Sequence, residues 1–107
     1  MSISPADFLE SVRAKQREFK FTSHALSRAQ KRLMQLDVCR EEVLLKEPEI
    51  VEEQKSNVGG ERQFDVYYKQ DNDKYHRYVL ALNNAIRVIT MMRISRNLQS
   101  RWSKWRS

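Results

Sequence analysis

At Pro48 the spacing of apolar side chains changes its period, and that switch restricts the fold more than any other feature of the chain. Before the proline, apolar residues return every three or four positions, as on one face of a helix; after it they alternate with polar ones, as along a strand. Helices followed by a run of strands describe an α+β chain, and 107 residues suffice for one domain with a single modest core.

The segment SPADFLESVRAKQREF (4–19) opens with Ser4 as N-cap, Pro5 at the first helical position and Asp7 in the first turn. It places Phe8, Leu9, Val12 and Phe19 on one side, which predicts a helix over 5–18. Thr22 or Ser23 caps a second helix reaching about Gln35, and Asp37 caps a third over 38–47 that Pro48 stops. EIVEEQK, RQFDVYYKQ, YHRYVLALN and IRVITMMRI then read as strands, separated by NVGG, DNDK and the Asn83-Asn84 pair. The expected architecture is N-terminal helices packed on one face of a curled antiparallel β-meander of about four strands. Residues 1–19 read as a helical extension. Residues 95–107 read as a basic tail in which Leu98, Trp102 and Trp105 have the spacing of a short packing helix.

Twenty Lys and Arg against 14 Asp and Glu give a net charge of +6 and a pI near 9.7. That balance favours a polyanionic partner, nucleic acid ahead of an anionic membrane surface. The last strand and tail form the positive pole: 86–107 holds six basic residues and no acid, whereas 41–53 holds six acids and Lys46. No apolar run is long enough to span a bilayer and the first residues lack the apolar core of a signal peptide, so a cytoplasmic protein is expected. With only two glycines there is no phosphate-cradling or dinucleotide-binding glycine pattern, which excludes the common nucleotide-binding enzymes. One cysteine and two histidines are too few for a zinc site of ordinary spacing. Cys39 reads as a small buried apolar residue, and neither metal nor cofactor is expected.

Candidate functional residues fall in two places. On the second helix His24, Arg28, Lys31 and Gln35 share one polar face opposite Ala25, Leu26, Ala29, Leu33 and Leu36, and His24 sits in the first turn, where backbone N–H groups attract anions. Such a row is most simply a solvated face, and a phosphate-binding row is the functional alternative. In the last hairpin, a two-residue loop at Asn83-Asn84 sets Ala81 opposite Ile86, Val79 opposite Val88 and Arg77 opposite Thr90. Arg87 and Arg93 then point to the other face with His76 and Tyr78; a three-residue loop would shift this pairing, and Arg87 and Thr90 come to one side through a bulge or else one of the two is wrongly assigned. Of the adjacent Tyr67 and Tyr68, one belongs to the core and the other, taken as Tyr68, would stack on a base.

FTSHALSRAQKR, LDVCREEVLLKEPEIVEE and IRVITMMR together resemble the DUF4258 family, in a likeness that covers about residues 20–94. Its pieces are a His-Ala-x-x-Arg helix, a short helix ending before a proline, and a closing Arg-Val-Ile-Thr strand. Ala29 stands where the family commonly has methionine, and Leu36-Asp37 where a turn glycine is frequent. The resemblance implies a RelE-like fold among the small microbial RNase toxins that include barnase, the colicin nucleases and RelE. It implies an endoribonuclease of the mRNA interferase type, a hydrolase that cuts RNA, ribosome-associated mRNA included, without metal and that is held by a cognate antitoxin. Carried over by position, His24, Arg28, Arg87 and Thr90 would be the catalytic set.

Such cleavage needs a base for the 2′-OH proton, cationic donors around the phosphate and an acid for the 5′-oxygen. His24 would be the base or acid, Arg28 and Arg87 would hold phosphate oxygens, and Thr90 would bond the phosphate or orient His24. Lys31, Arg32, Arg77 and Arg93 would track flanking phosphates. A second reading is a non-catalytic RNA-, DNA- or partner-binding module that uses the same basic face. A third is a homodimer or larger oligomer in which the tail tryptophans bury against another copy.

Overall fold

The computed structural model describes residues 3–54, 61–71 and 73–95. Among them the element order is α1 (Pro5–Arg13), β1 (Glu18–Phe21), α2 (Ser23–Lys31), α3 (Leu36–Leu45), β2 (Ile50–Gln54), β3 (Arg62–Asp71), β4 (Lys74–Leu82) and β5 (Ala85–Ser95). The fold is α+β. Its strands make one sheet in the order β1-β5-β4-β3-β2. The strands β2 to β5 pair antiparallel with their chain neighbours, whereas β1 lies parallel to β5. The expected meander of about four strands is therefore corrected to a five-stranded mixed sheet.

The first helix starts as its sequence dictates, with the Ser4 side chain accepting from the Asp7 N–H at 3.1 Å, but it ends at Arg13 rather than at 18. Arg17 turns the chain there: its Nη1 donates to the carbonyls of Ser11 and Val12, and its Nε to that of Asn83. Phe19 and Phe21 then alternate inward along β1, so the spacing from Val12 to Phe19 marks a strand and not a longer helix. The boundary drawn at 19 thus falls inside β1.

The second helix has Thr22 as N-cap, its hydroxyl accepting from the Ala25 N–H at 3.1 Å, and stops at Lys31 rather than near Gln35. It stops because Leu33 takes a left-handed backbone (φ 53°), which breaks the helical hydrogen-bond ladder. The third helix is shifted two residues toward the N-terminus; Gln35 holds the N-cap position and Asp37 lies in the first turn, where its charge suits the helix dipole. Residues 96–107, with Trp102 and Trp105, lie outside the described residues.

All three helices contribute to one core on one face of the sheet: Phe8 from α1, Ala29 from α2 and Val43 from α3 join Phe64, Leu80 and Val88 of the strands. Phe8 and Phe64 meet edge to face at 5.2 Å, and truncating either to alanine should cost about 3–5 kcal/mol. A smaller apolar cluster around Tyr67 and Ile94 occupies the other face.

A bulge in β5 sets which side chains share a face. Leu80 pairs with Val88 and Val79 with Thr90, so Ile89 is the extra residue. Leu82 faces Ile86, Ala81 faces Arg87 and Arg77 faces Met92, which replaces the expected hairpin register. Since Val88 and Met91 both belong to the core, Arg87 and Thr90 both point away from the helices. The bulge also holds α2: the Thr22 N–H donates to the Val88 carbonyl at 3.0 Å and the Thr22 hydroxyl to the Ile89 carbonyl at 3.1 Å.

Candidate active site

The residues anticipated from sequence do not gather in one place. His24 is exposed on α2, where its Nε2 accepts from Arg28 Nε at 3.3 Å, and Lys31 is exposed one turn further on. Arg87 and Thr90 lie on the opposite face of the sheet, and no hydrogen bond among the described residues connects them to His24. Arg87 Nη2 is held by both carboxylate oxygens of Glu61, at 2.8 and 2.9 Å. Arg77 grips Asp65 through Nε and Nη2 at 2.7 and 2.6 Å, and that bond raises the guanidinium pKa above its ordinary value. A cation already matched this way offers little net charge to a phosphate, which corrects the phosphate-tracking expectation for Arg77. Tyr68 is corrected as well: it is 1% exposed in the core, with no ring face open to a base. Its hydroxyl has no hydrogen-bond partner among the described residues.

A different set does converge. Glu42 of α3 is 2% exposed, so its carboxylate must be satisfied from within. Oε1 accepts from the Tyr78 hydroxyl and meets His76 Nδ1 at 2.8 Å; Oε2 accepts from the Gln70 amide. Lys46, one turn along the helix, lies 3.9 Å from Oε2. Burial pushes the Glu42 pKa up, but the hydrogen bonds from His76, Tyr78 and Gln70 outweigh it and hold the group below the ordinary carboxylate value. Glu42 is therefore a buried anion.

Local structure explains each contributor. His76 and Tyr78 alternate onto the helix face of β4, and Glu42 lies three residues after Cys39 and one before Val43, on the buried side of α3. The register of β3 against β4 shifts between Lys69 and Asp71, which takes Gln70 out of the ladder and leaves its amide to serve Glu42 and the Tyr68 carbonyl. Cys39 beside them is a buried free thiol whose pKa is pushed up by burial and then by the Glu42 charge. Its burial agrees with the reading of Cys39 as a small buried apolar residue.

An ionised carboxylate only accepts, so His76 Nδ1 must carry its hydrogen and, in the neutral ring, Nε2 must carry the lone pair. The imidazole is 17% exposed and has no Nε2 partner among the described residues. It forms the floor of a cleft with two lobes. One, about 410 Å³, is bordered by Lys74, Arg93 and Ser95; the other, about 220 Å³, by Leu33, Met34, Gln35 and Val38. Arg93 stands across the ladder from His76 and belongs to both.

Arg93 also fixes the cleft wall. Its Nη1 donates to the Arg32 carbonyl at 2.6 Å and its Nη2 to the Leu33 carbonyl at 2.7 Å, which satisfies carbonyls the end of α2 leaves open. Arg32 in turn donates to the Met91 carbonyl at 2.6 Å. Leu33 itself takes the left-handed position that follows the cap of α2, its N–H donating to the Gln30 carbonyl at 3.3 Å and the Met34 N–H to the Ala29 carbonyl at 2.9 Å. Its side chain, expected on the apolar side of α2, is instead 82% exposed at the rim, and Leu26, expected on the same side, is 44% exposed. No group of acidic, histidine and cysteine side chains among the described residues is arranged to hold a metal ion.

Sequence reasoning paired His76 with Tyr78 and Arg93 on one face but assigned His76 no role, and it missed Glu42 altogether. A signal was present: Glu42 interrupts the apolar side of α3 between Cys39 and Val43, and a carboxylate at such a position needs buried donors. Compared with protein-family models, curated proteins and solved structures, the chain matches none of them significantly, so the site stands on its own geometry.

Proposed function

We propose that the chain is a metal-independent endoribonuclease whose base is His76. The observation that carries this reading is an imidazole fixed at Nδ1 by a buried carboxylate and lining a cleft with Arg93 and Lys74. Glu42 sets the tautomer and stabilises the imidazolium that forms when Nε2 takes a proton, the role a buried carboxylate has beside histidine in acyl-transfer triads. Tyr78 and Gln70 keep that carboxylate charged and in place.

The cleft matches a reaction in which the nucleophile comes from the substrate. Cys39 is buried and inert, whereas RNA brings its own 2′-hydroxyl next to the phosphate. Nε2 takes the 2′-OH proton, the 2′-oxygen bonds to phosphorus, and the bond from phosphorus to the 5′-oxygen breaks. The proton then passes from the imidazolium to the departing 5′-oxygen, leaving a 2′,3′-cyclic phosphate and a 5′-hydroxyl. Arg93 and Lys74 offset the charge that grows on the phosphate oxygens. The reaction agrees with the one the DUF4258 resemblance implies, but its centre moves from His24 to His76.

Purified protein incubated with single-stranded RNA in EDTA should yield fragments ending in cyclic phosphate, detected by mass spectrometry. RNA that binds and stays intact would instead select the non-catalytic binding module.

A further inference from the structure

We propose that the sheet face turned from the helices is the docking surface for the chain's own C-terminal segment, residues 96–107, seated through Leu98, Trp102 and Trp105. The inference is independent of the nucleic-acid reading above.

A sheet packed on one side commonly presents the other to solvent, and side chains there stay partly exposed. This face behaves otherwise: Tyr67 is 0% exposed and Ile94 7%, although the helices pack on the opposite side. Neighbours within the sheet supply part of that burial, since Ile50 flanks Tyr67 from β2 and the Arg77 guanidinium sits 5.7 Å from the centre of its ring. Side chains of one layer shield each other laterally; closing the outward side of a ring takes a second layer. Ile94 has less lateral help still, because β1 pairs with β5 only as far as Val88, which leaves Ile94 a strand neighbour, Tyr75, on one side alone. Every residue of the apolar cluster here belongs to a strand of the sheet itself, so among the described residues nothing forms a layer above it.

Of the chain outside the described residues, only 55–60 and 96–107 are longer than two residues. The first joins β2 to β3 beyond the Gln54–Gln63 pair, at the far end of those strands from Ile50 and Tyr67, and its one apolar side chain is Val58. The second continues directly from Ile94 and Ser95, at the end of β5 where the cluster lies. Leu98, Trp102 and Trp105 have the spacing of one helical face. From β5 to β2 the cluster crosses about 14 Å, three steps of about 4.8 Å, and twelve residues of helix span about 18 Å. The segment can therefore run from Ile94 across to Ile50 and supply the missing layer. Tyr75 and Ile94 also border the larger lobe of the cleft, so the docked segment braces the strand end that carries Arg93.

Trp102 and Trp105 are the only tryptophans in the chain, so its tryptophan fluorescence reports this segment alone. In the full-length protein the emission should lie to the blue of that from a synthetic peptide of residues 96–107, with several-fold weaker quenching by acrylamide, and dilution should change neither. Ile94→Glu and Met92→Glu put a charge on the docking face and should shift the emission toward that of the peptide, whereas Leu26→Glu, exposed on α2, should leave it in place. Nuclear Overhauser contacts from the indoles to the Met92 and Ile94 methyl groups of wild type read the seat without any substitution. They decide the matter alone where circular dichroism shows that a variant has not folded. Four results would overturn the inference: peptide-like emission, protected indoles that ignore both glutamates, indole contacts to another face, or protection lost on dilution, which would assign the segment to a second copy.

Discussion

Glu42 governs the proposed chemistry because it decides where the proton on His76 sits. In Glu42→Gln the carboxamide can offer its NH2 to Nδ1, which favours the tautomer with hydrogen on Nε2 and removes the base from the cleft. The expected result is a loss of RNA cleavage on the order of 100-fold with the fold retained, within the range ascribed to a positioned general base. Rates measured alongside circular dichroism check both halves. The same carboxylate links stability to pH. Its folded pKa lies below the ordinary 4.5, held down by the hydrogen bonds that outweigh burial. A depressed carboxylate adds stability above its unfolded pKa and loses it as the pH falls through the folded value. Melting temperatures of wild type and Glu42→Gln should therefore differ near neutrality and converge as the pH drops below about 4.5.

Among the elements, α2 depends on one residue more than its length suggests. Thr22 caps the helix through its hydroxyl and ties it to the β5 bulge through the same oxygen and its own N–H. Thr22→Ala should cost about 1–2 kcal/mol in urea unfolding, the upper range for losing a helix cap. Caps and stops of this kind were legible in the sequence: Ser4, Thr22 and Pro48 behave as their chemistry predicts. What was not legible came from contacts distant along the chain. At the end of α2 the left-handed residue is a leucine, with no glycine to announce it, and the Arg32 and Leu33 carbonyls there accept from Arg93 of β5. Strand β1 is four residues whose partner, β5, begins more than 60 residues later, and the extra Ile89 in β5 has no local signature. The charged groups suffered similarly: composition showed abundant cations, but only the tertiary structure shows that Arg77 and Arg87 are matched by Asp65 and Glu61.

Across the whole molecule this pairing decides where a polyanion would bind. The sheet face turned from the helices carries arginines matched by acids, whereas Lys74 and Arg93 border the cleft above His76. Lys74→Ala should reduce the salt dependence of RNA binding by about one counterion, while Arg77→Ala should leave the slope unchanged. Fluorescence anisotropy across a series of salt concentrations reads both. The central claim is that the reacting base is the carboxylate-held His76 and not the exposed His24. Cleavage of one single-stranded RNA in EDTA by wild type, His76→Ala and His24→Ala tests it directly. The account predicts that wild type and His24→Ala cut at similar rates and that His76→Ala does not cut; cleavage that survives loss of His76 but vanishes with His24 would contradict it.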